Sequence, residues 1–136
     1  MSVKLNLGSG GEPREGYVNI DKNPCALRVD VVHDLDRYPW PFESEVADEI
    51  LMEHCLEHLI DHNRAMKEIH RILKKGALAR ISVLHFTWQF AFMIRRTATF
   101  SAIIRSFTML GTAGILISNF HLRIFPALTV DAELIK

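Results

Sequence analysis

The feature that most narrows the possible folds lies near the start of the chain, where an aliphatic run, Val3 to Leu7, is cut off by Gly8-Ser9-Gly10-Gly11. A short run of β-branched and aliphatic residues reads as a strand, and the glycines as the turn that ends it. Two further runs repeat the design and end on an acid: residues 17–20 before Asp21, and the valine-rich residues 28–33 before Asp34. Residues 47–53 suit either a helix or a strand by periodicity; we read them as a fourth strand. From Asp61 to Lys74 the apolar positions Ala65, Met66, Ile69, Ile72 and Leu73 recur at the three- and four-residue spacing of one helical face. Asp61 is the expected N-cap and Gly76 the expected stop. Residues 77–84 form the expected fifth strand, buried on both faces apart from Arg80. Strands separated by crossovers imply an α/β fold with a mostly parallel sheet.

The alternation stops partway along the chain. Residues 1–85 hold 14 of the 16 acidic residues against 11 of the 16 Lys and Arg, whereas residues 86–136 hold 2 acids against 5 bases. The front is therefore net acidic and the rear net basic, and the compositional boundary falls near Phe92. We expect a folded core over 1–92 and an atypical apolar, basic tail over 93–136, helical or poorly ordered. The longest stretch without Lys, Arg, Asp or Glu there, Ser106 to Leu122, is 17 residues, shorter than the roughly 20 apolar residues of a spanning helix. A formal net charge of zero carries no case for nucleic acid. Two isolated cysteines, Cys25 and Cys55, do not make a disulfide scaffold, and the first residues lack a signal-peptide pattern. The expectation is a cytoplasmic protein with no nucleic-acid or membrane signal and an oligomeric state that the sequence leaves open.

In open α/β sheets ligands sit beyond the carboxyl ends of the strands, which is where Gly8, Gly10, Asp21 and Asp34 would converge. Glycines let the backbone approach a ligand closely. An acid ending the second strand can accept both hydroxyls of a ribose. An acid ending the third can accept from the amino group of an adenine, with Leu35 packed on the ring. Taken singly, these residues are equally suited to ordinary turns and helix caps; their order along the chain is what carries the reading.

Leu5-Asn6-Leu7-Gly8-Ser9-Gly10, then Asn19-Ile20-Asp21, resembles the first motif and ribose acid of class I S-adenosylmethionine-dependent methyltransferases. Pro39-Trp40-Pro41-Phe42-Glu43, Ala47-Asp48-Glu49-Ile50, His54-Cys55-Leu56-Glu57-His58-Leu59 and Glu68-Ile69-His70-Arg71-Ile72-Leu73-Lys74-Lys75-Gly76 resemble the type 11 branch of that family. The resemblance spans residues 3–86. It implies a Rossmann-like fold and S-adenosylmethionine as cofactor, held by Gly8, Ser9, Gly10, Asp21, Asp34, Leu35 and Glu53. It also implies that His54 borders the active crevice, where it is the candidate general base because an unperturbed imidazole titrates near neutrality. The methyl acceptor is not legible. The rivals are a non-catalytic remnant of such a domain and an NAD-dependent oxidoreductase, the latter disfavoured because Glu12-Pro13 interrupts the longer glycine fingerprint and helix it needs.

The chain departs from the family pattern in three places. Lys74-Lys75-Gly76-Ala77 replaces the usual Lys-Pro-Gly-Gly turn. Gly8 to Asp21 spans 13 positions, against about 20 in a dinucleotide fingerprint, which leaves little room for a first helix. The closing strands of a seven-stranded sheet are not recognisable, so the sheet is expected to be incomplete at its C-terminal end. One inserted base after the Met93 codon can turn the following residues into Asp-Pro-Thr-His-Arg-His-Phe-Phe, the continuation expected of the subgroup, so the tail reads as a frameshifted one. His54, Glu57, His58 and His62, with His54 and His58 placed i and i+4 on an expected helix face and Cys55 beside them, invite a metal reading. No second ligand group completes such a site, and none is expected.

Overall fold

A computed structural model describes residues 2–84 and 129–136. The expected tail boundary and most of the tail lie outside the described residues. Five parallel strands, β1 (Lys4–Leu7), β2 (Val18–Asp21), β3 (Val31–Val32), β4 (Ala47–Glu53) and β5 (Leu73–Leu84), are joined at one edge by antiparallel β6 (Thr129–Ile135). The sheet order is β3-β2-β1-β4-β5-β6. The chain thus leaves β1 toward one edge and returns to build the other side from β4, which makes the β1/β4 boundary the topological switch point. A mostly parallel Rossmann-like α/β sheet is what the strand spacing implies. At the C-terminal end one antiparallel strand, β6, runs from Leu84↔Thr129 to Leu78↔Ile135 along β5. Among the described residues no seventh strand follows, so the sheet is incomplete there, as its sequence implies.

Register sorts the side chains. Leu5 lies level with Val18 and Ile50, and Ile50 with Ala79; this row belongs to the apolar face. Leu5, Leu7, Ile20, Ile50, Met52 and Ala79 are fully buried there, in one core with the helix. The row beside it, Asn19, Asn6, Leu51 and Arg80, belongs to a polar face. On that face the Lys4 ammonium lies 2.9 Å and the Arg80 guanidinium 3.5 Å from the Glu49 carboxylate. Strand β5 is therefore not buried on both faces apart from Arg80. Ala77, Ala79, Ile81 and Val83 are buried and Leu78 and Ser82 only half-buried, because the face they share with Arg80 is the charged one.

Helix α1 (His62–Ile72) buries Ala65, Met66, Ile69 and Ile72, the spacing that predicts it; a buried Met or Ile contributes roughly 1.5–3 kcal/mol. Asp61 caps it, its Oδ1 accepting from the Arg64 amide at 2.9 Å. The stop lies earlier than Gly76. Leu73 is extended, fully buried and paired with Ala47, while the Glu45 and Val46 amides donate to the Arg71 and Ile72 carbonyls. The helix's terminal acceptors are thus satisfied by a neighbouring segment, and no glycine is required to turn the chain. Gly76, at φ +77, lies within β5.

β3 is also shorter than expected. Arg28 takes φ +51, and the Asp30 carboxylate accepts from both the Asn19 amide and the Asn19 side chain, so residues 28–30 turn onto β2 before the strand begins. Among the described residues no helix links β1 to β2. Asn19 pins that link instead: its Oδ1 accepts from Asn6 Nδ2 and the Arg14 amide, and its Nδ2 donates to the carbonyls of Arg14 and Tyr17.

Candidate active site

At the switch point the carboxyl ends of β1, β2 and β4 meet the segments that follow β3 and β4. The Gly8 and Ser9 amides both donate to the Ile20 carbonyl, at 2.8 and 2.9 Å, so the glycine turn is folded over the end of β2. Gly8 needs φ +73, and a Cβ there would collide with the Sγ and Cβ of Cys55. The absence of a side chain thus serves both the turn and the close approach of the segment after β4. Asp21 Oδ2 accepts from the Gly10 amide at 2.9 Å and Oδ1 from the Asn23 amide at 2.8 Å. Each oxygen keeps a further lone pair.

Between these ends lies a cavity of about 210 Å³ walled by Gly8, Asp21, Asp34, Leu35, His54 and Cys55, with Lys22, His33, Asp36, His58 and Leu59 around them. Drug-sized ligands occupy roughly 300–1,000 Å³, so the described walls suit the nucleoside portion of a ligand rather than the whole. Five expected site residues, Gly8, Asp21, Asp34, Leu35 and His54, line this one cavity. Gly10 is one step removed, holding Asp21. Ser9 is buried, with a hydroxyl that finds no hydrogen-bond partner among the described residues. Glu53 does not line the cavity; its carboxylate receives the Arg14 guanidinium at 2.7 Å.

His54 stands at φ +50, in the left-handed region, with its amide on the Ser82 carbonyl. Its Nδ1 is 3.9 Å from the buried Glu57 carboxylate. The turn that follows is a single 3₁₀ turn, Leu56–His58. His54 therefore precedes the turn, and the shared helix face with His58 does not form. Burial, reinforced by the carboxylates of Glu57, Asp21 and Asp36, pushes the Cys55 thiol up to about 12. It is a packing group at neutral pH rather than a thiolate.

Sequence reasoning missed Cys55 as the partner of Gly8, and it missed Trp40. The Trp40 side chain is buried and its Nε1 donates to the Leu35 carbonyl at 3.0 Å. The only available signal was the Pro-Trp-Pro-Phe run itself.

Residues 16–81 match the family model described as "Methyltransferase domain". No curated protein matches significantly. Among solved structures, a SAM-dependent methyltransferase from Archaeoglobus fulgidus superposes with a TM-score of 0.69 at 16% identity, covering 99% of this chain and 86% of that one. An S-adenosylmethionine-dependent methyltransferase from Mesorhizobium loti gives 0.64 at 13%, covering 98% and 90%. The [4+2]-cyclase SpnF gives 0.64 at 17%, covering 87% and 53%. Identities this low speak for the fold alone, and the cyclase shows that the fold hosts more than one reaction. This chain is thus similar to a methyltransferase domain in sequence over residues 16–81 and to SAM-dependent methyltransferases in fold.

Proposed function

We propose that the chain binds S-adenosylmethionine in the cavity at the β1/β4 switch point and acts as a methyltransferase on an acceptor reached past β4 and β5. The observation that carries this is that two carboxylates, Asp21 and Asp34, line one cavity together with Gly8. The residues suit the group. Asp21, already oriented by two amides, has lone pairs for two ribose hydroxyls. Asp34 accepts from the Asp36 amide through Oδ1, and its Oδ2, 3.9 Å from Arg37 Nε, keeps lone pairs for an exocyclic amine. Leu35 supplies an apolar wall, and the Ser9 hydroxyl, without a partner among the described residues, lies within the glycine turn.

When bound, S-adenosylmethionine supplies an electrophilic methyl group on a sulfonium, transferable by in-line displacement. The chain's contribution is alignment and exclusion of water, which can supply ~7–11 kcal/mol through effective molarity. For an acceptor that must lose a proton, His54 is the base on the cavity wall. Calorimetry with S-adenosylmethionine and with NAD tests the reading. Micromolar binding of the first and none of the second is expected. Binding of NAD alone would assign a dehydrogenase, and binding of neither would leave a remnant domain.

A further inference from the structure

We propose that Trp40 is a positioning residue for the adenine side of the cavity, hanging its wall from helix α1. This rests on the cofactor reading above. The wall, residues 33–36, has no regular structure of its own: β3 ends at Val32, and the next element, β4, begins at Ala47. Its placement depends on bonds from outside. The His33 amide reaches the Asp21 carbonyl at 3.0 Å, and the Ile60 amide reaches Asp36 Oδ1 at 2.7 Å. Between these two ties, Leu35 packs into the core and accepts at its carbonyl from the Trp40 indole. Trp40 and Leu35 are only 2% and 4% exposed, so water cannot replace that donor.

Trp40 is itself fixed to α1. Its amide donates to Glu68 Oε2 at 2.8 Å, and Arg71 grips both oxygens of Glu68 at 2.8–2.9 Å. The same guanidinium reaches the carbonyls of Trp40 and Phe42, at 3.3 and 2.8 Å. The path from helix to cavity is therefore Arg71, Glu68, the Trp40 main chain, the indole and Leu35. The flank of α1 beside its apolar stripe, at Glu68 and Arg71, thus sets where Leu35, and with it Asp34 and Asp36, stand in the cavity.

Binding of S-adenosylmethionine and of adenosine, measured by calorimetry on the full chain, tests this. Adenosine reports the nucleoside side alone. Trp40→Phe keeps an aromatic ring and removes the donor; losing a bond to a buried acceptor is worth about tenfold in affinity, so both ligands should weaken by about that factor. Ile69→Val, in the same core, should lower stability while leaving adenosine affinity unchanged, which a purely structural role for Trp40 would not distinguish. Glu68→Gln, nearer the surface, should weaken adenosine less than Trp40→Phe does and decides the matter if that variant does not fold. Equal adenosine affinity in the wild type and in every folded Trp40 or Glu68 variant overturns the proposal, as does an equal loss in Ile69→Val. Failure of the wild-type chain to bind either ligand overturns the cofactor reading with it.

Discussion

Substituting Gly8 by alanine tests how the cavity is assembled, since two separable penalties meet at that position. The first is conformational: at φ +73 a Cβ faces the carbonyl it would avoid in the right-handed region, at about 1–2 kcal/mol. The second is steric. The added Cβ would lie 2.8 Å from the Cys55 Cβ and nearer still to the sulfur, and overpacking of this kind costs roughly 1–3 kcal/mol. Together the substitution should destabilise the chain by about 2–5 kcal/mol. In a Cys55→Gly background the obstructing atoms are gone, and only the conformational part, about 1–2 kcal/mol, should remain. Urea unfolding followed by circular dichroism, for the four members of the cycle, yields the difference. An equal Gly8→Ala penalty in both backgrounds would refute the claim that Cys55 closes against this glycine. The glycine would then serve the turn alone.

Asp21→Ala should weaken S-adenosylmethionine by about 1.5–3 kcal/mol, the range for bonds to a charged group; unchanged calorimetric affinity would remove it from the ribose role. Asn19→Ala should cost about 2–4 kcal/mol, because main-chain groups at Arg14 and Tyr17 lose their partner, and hydrogen exchange should rise first at residues 12–17. Burial holds His62 and His70 below their ordinary value of 6.5. The unfolded chain therefore takes up protons more readily as pH falls through that value, and stability should decline there. A second loss should follow below 4.5, as the Glu68 and Glu49 carboxylates, held down by bonds to Arg71 and Lys4, are protonated. A urea midpoint that rises between pH 7.5 and 5.5 would contradict the sign. The nucleotide sequence across codons 92–108 should contain, one base out of frame, the peptide Asp-Pro-Thr-His; a stop codon in that frame there would dismiss the frameshift reading.

What was legible in the sequence depended on how local its cause was. The stripe from Ala65 to Ile72 and the Asp61 cap specify the start and the buried face of α1, because both act within one or two turns. The glycine turn and Asp21 were legible for a related reason: each ends a strand whose own run announces it. The short β3 was not, since its start is displaced by Asp30 reaching back to Asn19, a contact no periodicity encodes. The half-open face of β5 was missed because an aliphatic run does not tell which neighbours carry charge. The N-terminal shift of the helix end follows from amides 26 residues upstream, at Glu45 and Val46. At the site, the acids could be named from order alone, whereas Cys55 behind Gly8 and the indole behind Leu35 exist only once distant segments meet.

The link between β1 and β2 has a consequence for how freely this region can be altered. Asn19 and Asn6 hold the link almost wholly through main-chain atoms, namely the amide and carbonyl of Arg14 and the carbonyls of Glu12 and Tyr17. Main-chain atoms are common to every residue. Side chains between Gly11 and Gly16 can therefore be exchanged with little loss of shape, provided that the two asparagines stay and no proline removes the Arg14 amide. Only the Arg14 pairing with Glu53 would register the exchange. The six-residue segment is thus a natural graft point, a place where new chemistry can be installed after the glycine turn without rebuilding the sheet beneath it.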